Sequence, residues 1–250
     1  MNTHLVPYRI YKHITVQYRL RIDSKMASTC DGAAEQPRRG KKRRAPTITD
    51  SAEPHLSLKA IEAAYSGIDG YSIAREAKRQ QRLDGIFTDG IQYGEIDCDA
   101  FAAALEWCNP QPGETFVDLG SGTGKAVLTA AALYPLASAA GVEIMRPLHN
   151  AALRALDNCS GAMHQTTDVF FRCADALDHA WHEYSLVFVS LTCFTDAQVA
   201  RVAKDAHRLR RGSRLLVTSR TLDCSALKLL RRECLKYGKG KLLFLAYERT

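Results

Sequence analysis

The chain has no run of about 18 uninterrupted apolar residues, the length a membrane span requires, and no N-terminal apolar core of roughly 7–15 residues such as a secretory signal carries. Neither membrane insertion nor secretion is expected. It also lacks a C-x-x-C pair. Its eight cysteines, Cys30, Cys98, Cys108, Cys159, Cys173, Cys193, Cys224 and Cys234, are scattered, several inside apolar patterns, which predicts reduced and mostly buried thiols of an intracellular protein. His179 and His182 are spaced to share a helical face, but no third ligand lies at a credible spacing, so no metal site is expected. Acidic residues are missing before Asp23.

What is present is sharply uneven charge. The net charge is +7 over 250 residues, and residues 1–50 alone hold eleven Lys/Arg against four acids, so residues 51–250 balance to zero. Residues 27–54 combine small, polar and charged residues without apolar periodicity, which predicts disorder. Within them Arg38, Arg39, Lys41, Lys42, Arg43 and Arg44 form a cationic run suited to nuclear import or to DNA phosphates, against the plainer reading of a solvated linker. Residues 1–22, basic and weakly patterned, leave two alternatives: a mitochondrial targeting segment, or an extension ahead of a true start at Met26.

From Leu56 to about Gln81 the apolar spacing is helical, interrupted at Gly67 and Gly70, and a further helix is expected over Asp99–Cys108, stopped by Asn109-Pro110. Strands follow near 115–119, 138–144, 167–173, 185–190 and 214–219, with helices near 125–134, 146–158, 195–209 and 222–231. Such alternation calls for a parallel sheet covered on both faces. The end departs from it: Arg232–Tyr237, the turn Gly238-Lys239-Gly240 and Lys241–Glu248 read as a hairpin. The division expected is a basic tail (1–54), a helical lobe with a covering loop (55–110) and an α/β domain (111–250).

The chemistry is concentrated at Phe116-Val117-Asp118-Leu119-Gly120-Ser121-Gly122-Thr123-Gly124-Lys125. An apolar strand ends in an acid, glycines allow a tight turn close to a ligand, and a helix starts at once. Glu143, closing the next strand about 20 residues on, stands where a ribose diol would be held. The dinucleotide fingerprint G-x-G-x-x-G is not met, since the glycines are 120, 122 and 124. With Asp118 ahead of the loop, the segment resembles the first motif of class I S-adenosylmethionine methyltransferases, whose Rossmann-like seven-stranded sheet ends in an antiparallel hairpin.

Together with Tyr93-Gly94-Glu95-Ile96, Gly141-Val142-Glu143-Ile144, Val187–Ser190 through Cys193-Phe194, and Arg211–Ser219, these motifs resemble the disruptor of telomeric silencing family, the non-SET lysine methyltransferases of the histone H3 core. The resemblance runs from about Asp84 to the C-terminus. It implies that Tyr93, Gly94, Glu95 and Ile96 cover the methionine end of the cofactor, that Phe116 through Lys125 line its amino-acid and ribose portions, that Glu143 takes the ribose hydroxyls and that Asp175 and Ala176 reach the adenine. It implies a lysine channel at Ser190, Thr192, Phe194 and Tyr93, with no dedicated catalytic acid or base. The best-known members carry two asparagines where this chain has Ser190 and Leu191.

The function this implies is S-adenosylmethionine-dependent methylation of a lysine of nucleosomal histone H3, in the nucleus, with the basic tail holding nucleosomal DNA or acidic histone surface. The alternatives are a lysine methyltransferase of a non-histone protein and a weakly active cofactor-binding chromatin module. Methylation of adenine amines is disfavoured, because the Asn/Asp-Pro-Pro-Tyr/Phe motif of such enzymes is absent at Ser190-Leu191-Thr192-Cys193-Phe194.

Overall fold

The structure, a computed structural model, describes residues 54–84, 93–159 and 166–250. The expectations for residues 1–53, among them the basic run, the targeting segment and the alternative start, lie outside the described residues, as does the part of the covering loop before Tyr93. Residues from Glu53 onward form one compact unit.

Among the described residues three α-helices precede the sheet: α1 (Pro54–Ala64), α2 (Gly70–Leu83) and α3 (Cys98–Leu105). Gly67, at φ +78, turns the chain between α1 and α2, whereas Gly70 opens α2 instead of interrupting it. There Asp69 caps the helix by accepting from the Ser72 amide at 3.0 Å, and Asp97 does the same for α3 through Ala100 at 2.9 Å; each carboxylate satisfies an amide that the first turn leaves unpaired. The last expected turn of α3 tightens into a 3-10 turn over Glu106–Cys108, ended by Asn109 at φ 44 ahead of Pro110.

The sheet has seven strands, β1 (Thr115–Leu119), β2 (Ser138–Glu143), β3 (Asp168–Cys173), β4 (Leu186–Ser190), β5 (Arg214–Thr218), β6 (Leu227–Tyr237) and β7 (Gly240–Arg249). Their order is β3-β2-β1-β4-β5-β7-β6. The first five run parallel, while β7 pairs antiparallel with β5 and β6 antiparallel with β7. Helices α4 (Lys125–Leu133), α5 (Arg146–Asn158) and α6 (Asp196–Ala206) supply crossovers. This is the class I methyltransferase architecture.

Alternation along the strands sends successive side chains to opposite faces. On one face Phe116 and Phe188 pack with Ile61, Phe101 and Leu128, and the ring of Phe101 meets that of Phe188 edge-on at 4.9 Å. On the other, Val117, Val189 and Val217 pack with Trp181, Val202 and Tyr247. Because β1 lies between β2 and β4, the chain reverses its direction of winding there, and an open crevice forms at the carboxyl ends of these strands.

One expectation is overturned. The segment near 222–231 is not a helix: residues 219–226 are irregular and β6 already begins at Leu227, pairing Leu227 with Arg249 and Lys228 with Glu248. The Leu-rich local sequence favours a helix, but ten of the eleven residues of β6 find partners on β7, with a bulge at Leu230, and that non-local ladder prevails over local propensity. The hairpin is therefore longer than expected, and its loop is the two residues Gly238-Lys239.

Candidate active site

A cleft of about 670 Å³ opens at the carboxyl ends of β1, β2 and β4, within the size range of cofactor sites. Its floor is the loop Gly120–Gly124. The amides of Gly120 and Ser121 donate to the Val142 carbonyl at 2.9 and 3.0 Å, fastening the loop to β2. Gly122, at φ +54, has no room for a side chain, since a Cβ there would lie 2.8 Å from the Tyr93 ring. Gly124 is a packing glycine at the start of α4: a Cβ would stand 2.5 Å from Phe171.

Two carboxyls enter the cleft from adjacent strands. Glu143 accepts from the amides of Gly122 at 2.8 Å and Met145 at 2.7 Å. Burial raises its pKa, and these hydrogen bonds partly offset the rise. Asp118 is buried at 4% exposure and has no hydrogen-bond partner among the described residues. Burial pushes its pKa well above the ordinary carboxylate value, with the Glu143 charge adding to the effect. The Ser121 hydroxyl is likewise buried and unpartnered. A buried carboxyl and a hydroxyl without partners, over a cradle too narrow for a Cβ, fit a ligand that brings a cationic amine and hydroxyl donors. S-Adenosylmethionine has both.

One wall is a polar network. The Tyr93 hydroxyl donates to Glu95 at 2.9 Å and lies 3.2 Å from the Thr123 hydroxyl. Glu95 is ion-paired with Lys125, whose ammonium also lies 5.1 Å from the centre of the Tyr65 ring, and Tyr65 donates to the Thr123 carbonyl at 2.9 Å. Residues after the covering loop are thus tied to the first turn of α4. Tyr71 of α2 meets the Tyr93 ring edge-on at 5.4 Å, and Tyr237, at the end of β6, also lines the cleft.

At the opposite wall Asp175 accepts from the Leu177 amide at 2.9 Å, presenting Ala176 and Leu177 to the cleft beside Met145 and Leu148. The end of β4 contributes Ser190, Thr192, Cys193 and Phe194. Arg220, just after β5, holds this segment by donating to the Phe194 carbonyl at 3.1 Å and to Asp196 at 2.5 Å. Burial raises the pKa of the Cys193 thiol and of the Tyr93 phenol, so both stay protonated near neutral pH and neither is an ionised nucleophile.

Of the residues expected in the cofactor site, Tyr93–Ile96, Asp118, Gly120–Thr123, Lys125, Glu143, Asp175 and Ala176 line the cleft. Phe116, Val117 and Leu119 do not: Phe116 is buried under α3 and α4, while Val117 and Leu119 face the opposite core. Gly124 packs against Phe171. The channel candidates Ser190, Thr192, Phe194 and Tyr93 come together at one cleft, whereas Leu191 is fully buried in the core beneath α6. His179 and His182 do not share a helix, lying on separate 3-10 turns. Four of the seven described cysteines are buried. Sequence reading missed Tyr71, Met145, Leu148, Gln198, Tyr237 and Leu242; only Met145, adjoining Glu143, carried a local signal.

Solved structures with this fold include an RNA methyltransferase from Salinibacter ruber in complex with S-adenosyl-L-homocysteine, at 16% identity and TM-score 0.51, covering 62% of this chain and 94% of that one. TrmN from Thermus thermophilus is similar at 17% identity and TM-score 0.51, over 64% of this chain and 51% of that one. The methyltransferase yhhF from Escherichia coli matches at 16% identity and TM-score 0.50, over 63% and 88%. At such identities the likeness concerns the fold. No curated protein matches the chain in sequence. Residues 78–235, more than half the chain, match the family described as histone methylation protein DOT1. The chain belongs to this DOT1 family and is an S-adenosylmethionine-dependent histone methyltransferase.

Proposed function

We propose that the chain methylates a lysine side chain of histone H3 on intact nucleosomes, in the nucleus. The observation that carries the reading is the composition of the acceptor end of the cleft. Ser190, Thr192, Cys193, Phe194, Tyr93 and Tyr71 line the cleft, and in this reading they form its acceptor end, aromatic, hydroxyl and thiol groups with no carboxylate among them, while neighbouring Glu95 is paired with Lys125. Such a lining offers no strong base. It suits a reaction that asks for position and desolvation instead.

Methyl transfer to an amine is that kind of reaction. The nucleophile must be neutral and about 3–3.5 Å from the methyl carbon. A lysine has a reference pKa of about 10.4, and an apolar wall such as Phe194 and Tyr93 shifts it toward the neutral amine by desolvation. Bound S-adenosylmethionine would supply the methyl group on a cationic sulfur. Asp118 and Ser121 would hold its amino-acid portion, Glu143 the ribose hydroxyls, and Asp175–Leu177 with Met145 and Leu148 the adenine. Tyr93–Ile96, tethered through Lys125, would close over the methionine end and exclude water.

In this reading residues 1–54 are an import and DNA-contact tail, 55–110 a cap, and 111–250 the methyl-transfer domain. The test is transfer of labelled methyl groups by the full chain to nucleosomes, to free core histones and to naked DNA. Label on H3 in nucleosomes, falling steeply with salt as phosphate contacts are screened, is the expected result. Equal labelling of free histone H3, or label on DNA, would overturn the reading.

A further inference from the structure

Four hydroxyls form a continuous chain where β4 and β5 end. Ser190 Oγ lies 2.9 Å from Thr218 Oγ1 and 3.4 Å from Thr192 Oγ1. Thr218 Oγ1 lies 3.4 Å from Thr192 Oγ1, which lies 2.6 Å from Ser219 Oγ. Either atom of each pair has the freedom to donate, because no carboxylate, ammonium or backbone group fixes a direction. The chain spans the cleft wall: Ser190 and Thr192 line the cleft, Thr218 is wholly buried, and Thr192 is exposed.

Its geometry is held deliberately. Ser219 sits at φ +66, one of two non-glycine residues with positive φ among those described, a conformation that costs about 1 kcal/mol or more for a side-chain-bearing residue. That twist sets its hydroxyl against Thr192. Parallel pairing of Ser190 with Thr218 places the other two hydroxyls side by side. The segment carrying Thr192 is anchored by Arg220 through the Phe194 carbonyl.

Methyl transfer to a lysine has a proton to dispose of. An ammonium R–NH3+ gives up one proton to expose its lone pair; nitrogen then forms a bond to the methyl carbon as the carbon–sulfur bond breaks and its electron pair stays on sulfur. Each turnover therefore releases one H+, and among the described residues Glu95, the carboxylate hydrogen-bonded to Tyr93, is already paired with Lys125. We infer that Ser190, Thr218, Thr192 and Ser219 form a proton relay that carries this H+ from the acceptor amine to solvent. Each hydroxyl accepts a proton on one side and passes its own to the next, so the relay is unchanged after each turnover. The inference rests on the proposed lysine acceptor.

The test uses the full chain on nucleosomes, comparing wild type with Ser190→Ala, which removes the cleft end of the relay, Thr218→Val, which removes its buried link, and Ser190→Thr, which keeps a hydroxyl. Cofactor binding and melting temperature, measured alongside, identify variants that fail to fold. The expected result is a kcat about 100-fold lower in Ser190→Ala, at the low end of what proton transfer contributes, with cofactor affinity unchanged. That variant should show a solvent deuterium isotope effect absent from wild type, with partial rescue by imidazole, while Ser190→Thr stays close to wild type. An unchanged kcat in both Ser190→Ala and Thr218→Val, or a loss with neither isotope effect nor rescue, would overturn the relay while leaving the lysine reading intact. Absence of lysine methylation by wild type would instead remove the reading and the relay with it.

Discussion

Asp118 and Glu143 face one cleft from neighbouring parallel strands, yet Glu143 accepts two backbone amides whereas Asp118 accepts none among the described residues. Both pKa values are raised, mainly by burial, so the fold favours the protonated carboxyls. Their contribution to stability is present below the unfolded value of about 4 and is lost as pH rises through the raised folded value. In ligand-free protein Asp118→Asn should therefore raise stability at neutral pH, and should abolish cofactor binding. Melting curves across pH, with calorimetry of binding, check both; a destabilised Asp118→Asn would contradict the assignment.

Glu143→Ala strands the amides of Gly122 and Met145, which now donate to its carboxylate. Leaving a buried donor unpaired costs about 1–3 kcal/mol. Cofactor affinity should fall with stability in this variant, unlike Asp118→Asn, and urea titration beside calorimetry separates the two.

Gly122→Ala and Gly124→Ala should fail differently. At Gly122 the new Cβ meets the Tyr93 ring at 2.8 Å, pushing aside a cleft residue, so activity should suffer more than stability. At Gly124 it meets Phe171 at 2.5 Å inside the core, an overpacking that costs about 1–3 kcal/mol. Melting temperature and methyl-transfer rate, measured on both, should rank the variants in opposite orders.

Lys125→Met removes the partner of Glu95, a pair whose side chains are only 22% and 16% exposed. The freed carboxylate keeps its hydrogen bond from Tyr93, but the tether to α4 is gone. The KM for the cofactor should rise about tenfold, equivalent to about 1.4 kcal/mol, with a smaller change in kcat. Steady-state kinetics at saturating nucleosome decide; an unchanged KM would show that the tether does not order the covering residues.

Deleting residues 37–46 should leave cofactor binding intact and weaken nucleosome methylation, with a shallower dependence on salt as fewer phosphates are neutralised. Loss of cofactor binding on this deletion would show that the tail serves the cleft instead.

Much of the fold was legible because its signals are local. Strand ends at Leu119, Glu143 and Ser190, and the helix starts at Lys125 and Arg146, follow from apolar runs broken by glycine, acid or proline. The error at 222–231 has the opposite cause: Leu227–Tyr237 is a strand only because β7 lies beside it, and no local pattern announces a partner met after a turn. Phe116, Val117 and Leu119 belong to the glycine motif in sequence but to the two cores in space, since alternation turns only some strand residues toward the cleft.

The sequence by itself determined the cofactor chemistry, because a strand acid, a glycine turn and a second acid must be close along the chain to do their work. It also determined the sheet class, through apolar strands alternating with helices. Only the tertiary structure decided what surrounds the proposed acceptor. Tyr71, Tyr93, Ser190 and Tyr237 come from four parts of the chain, three of them in regular elements, and Ser190 meets Thr218 only through parallel pairing of β4 with β5. Pairing and packing energies set those distances, and no spacing of residues along the chain encodes them.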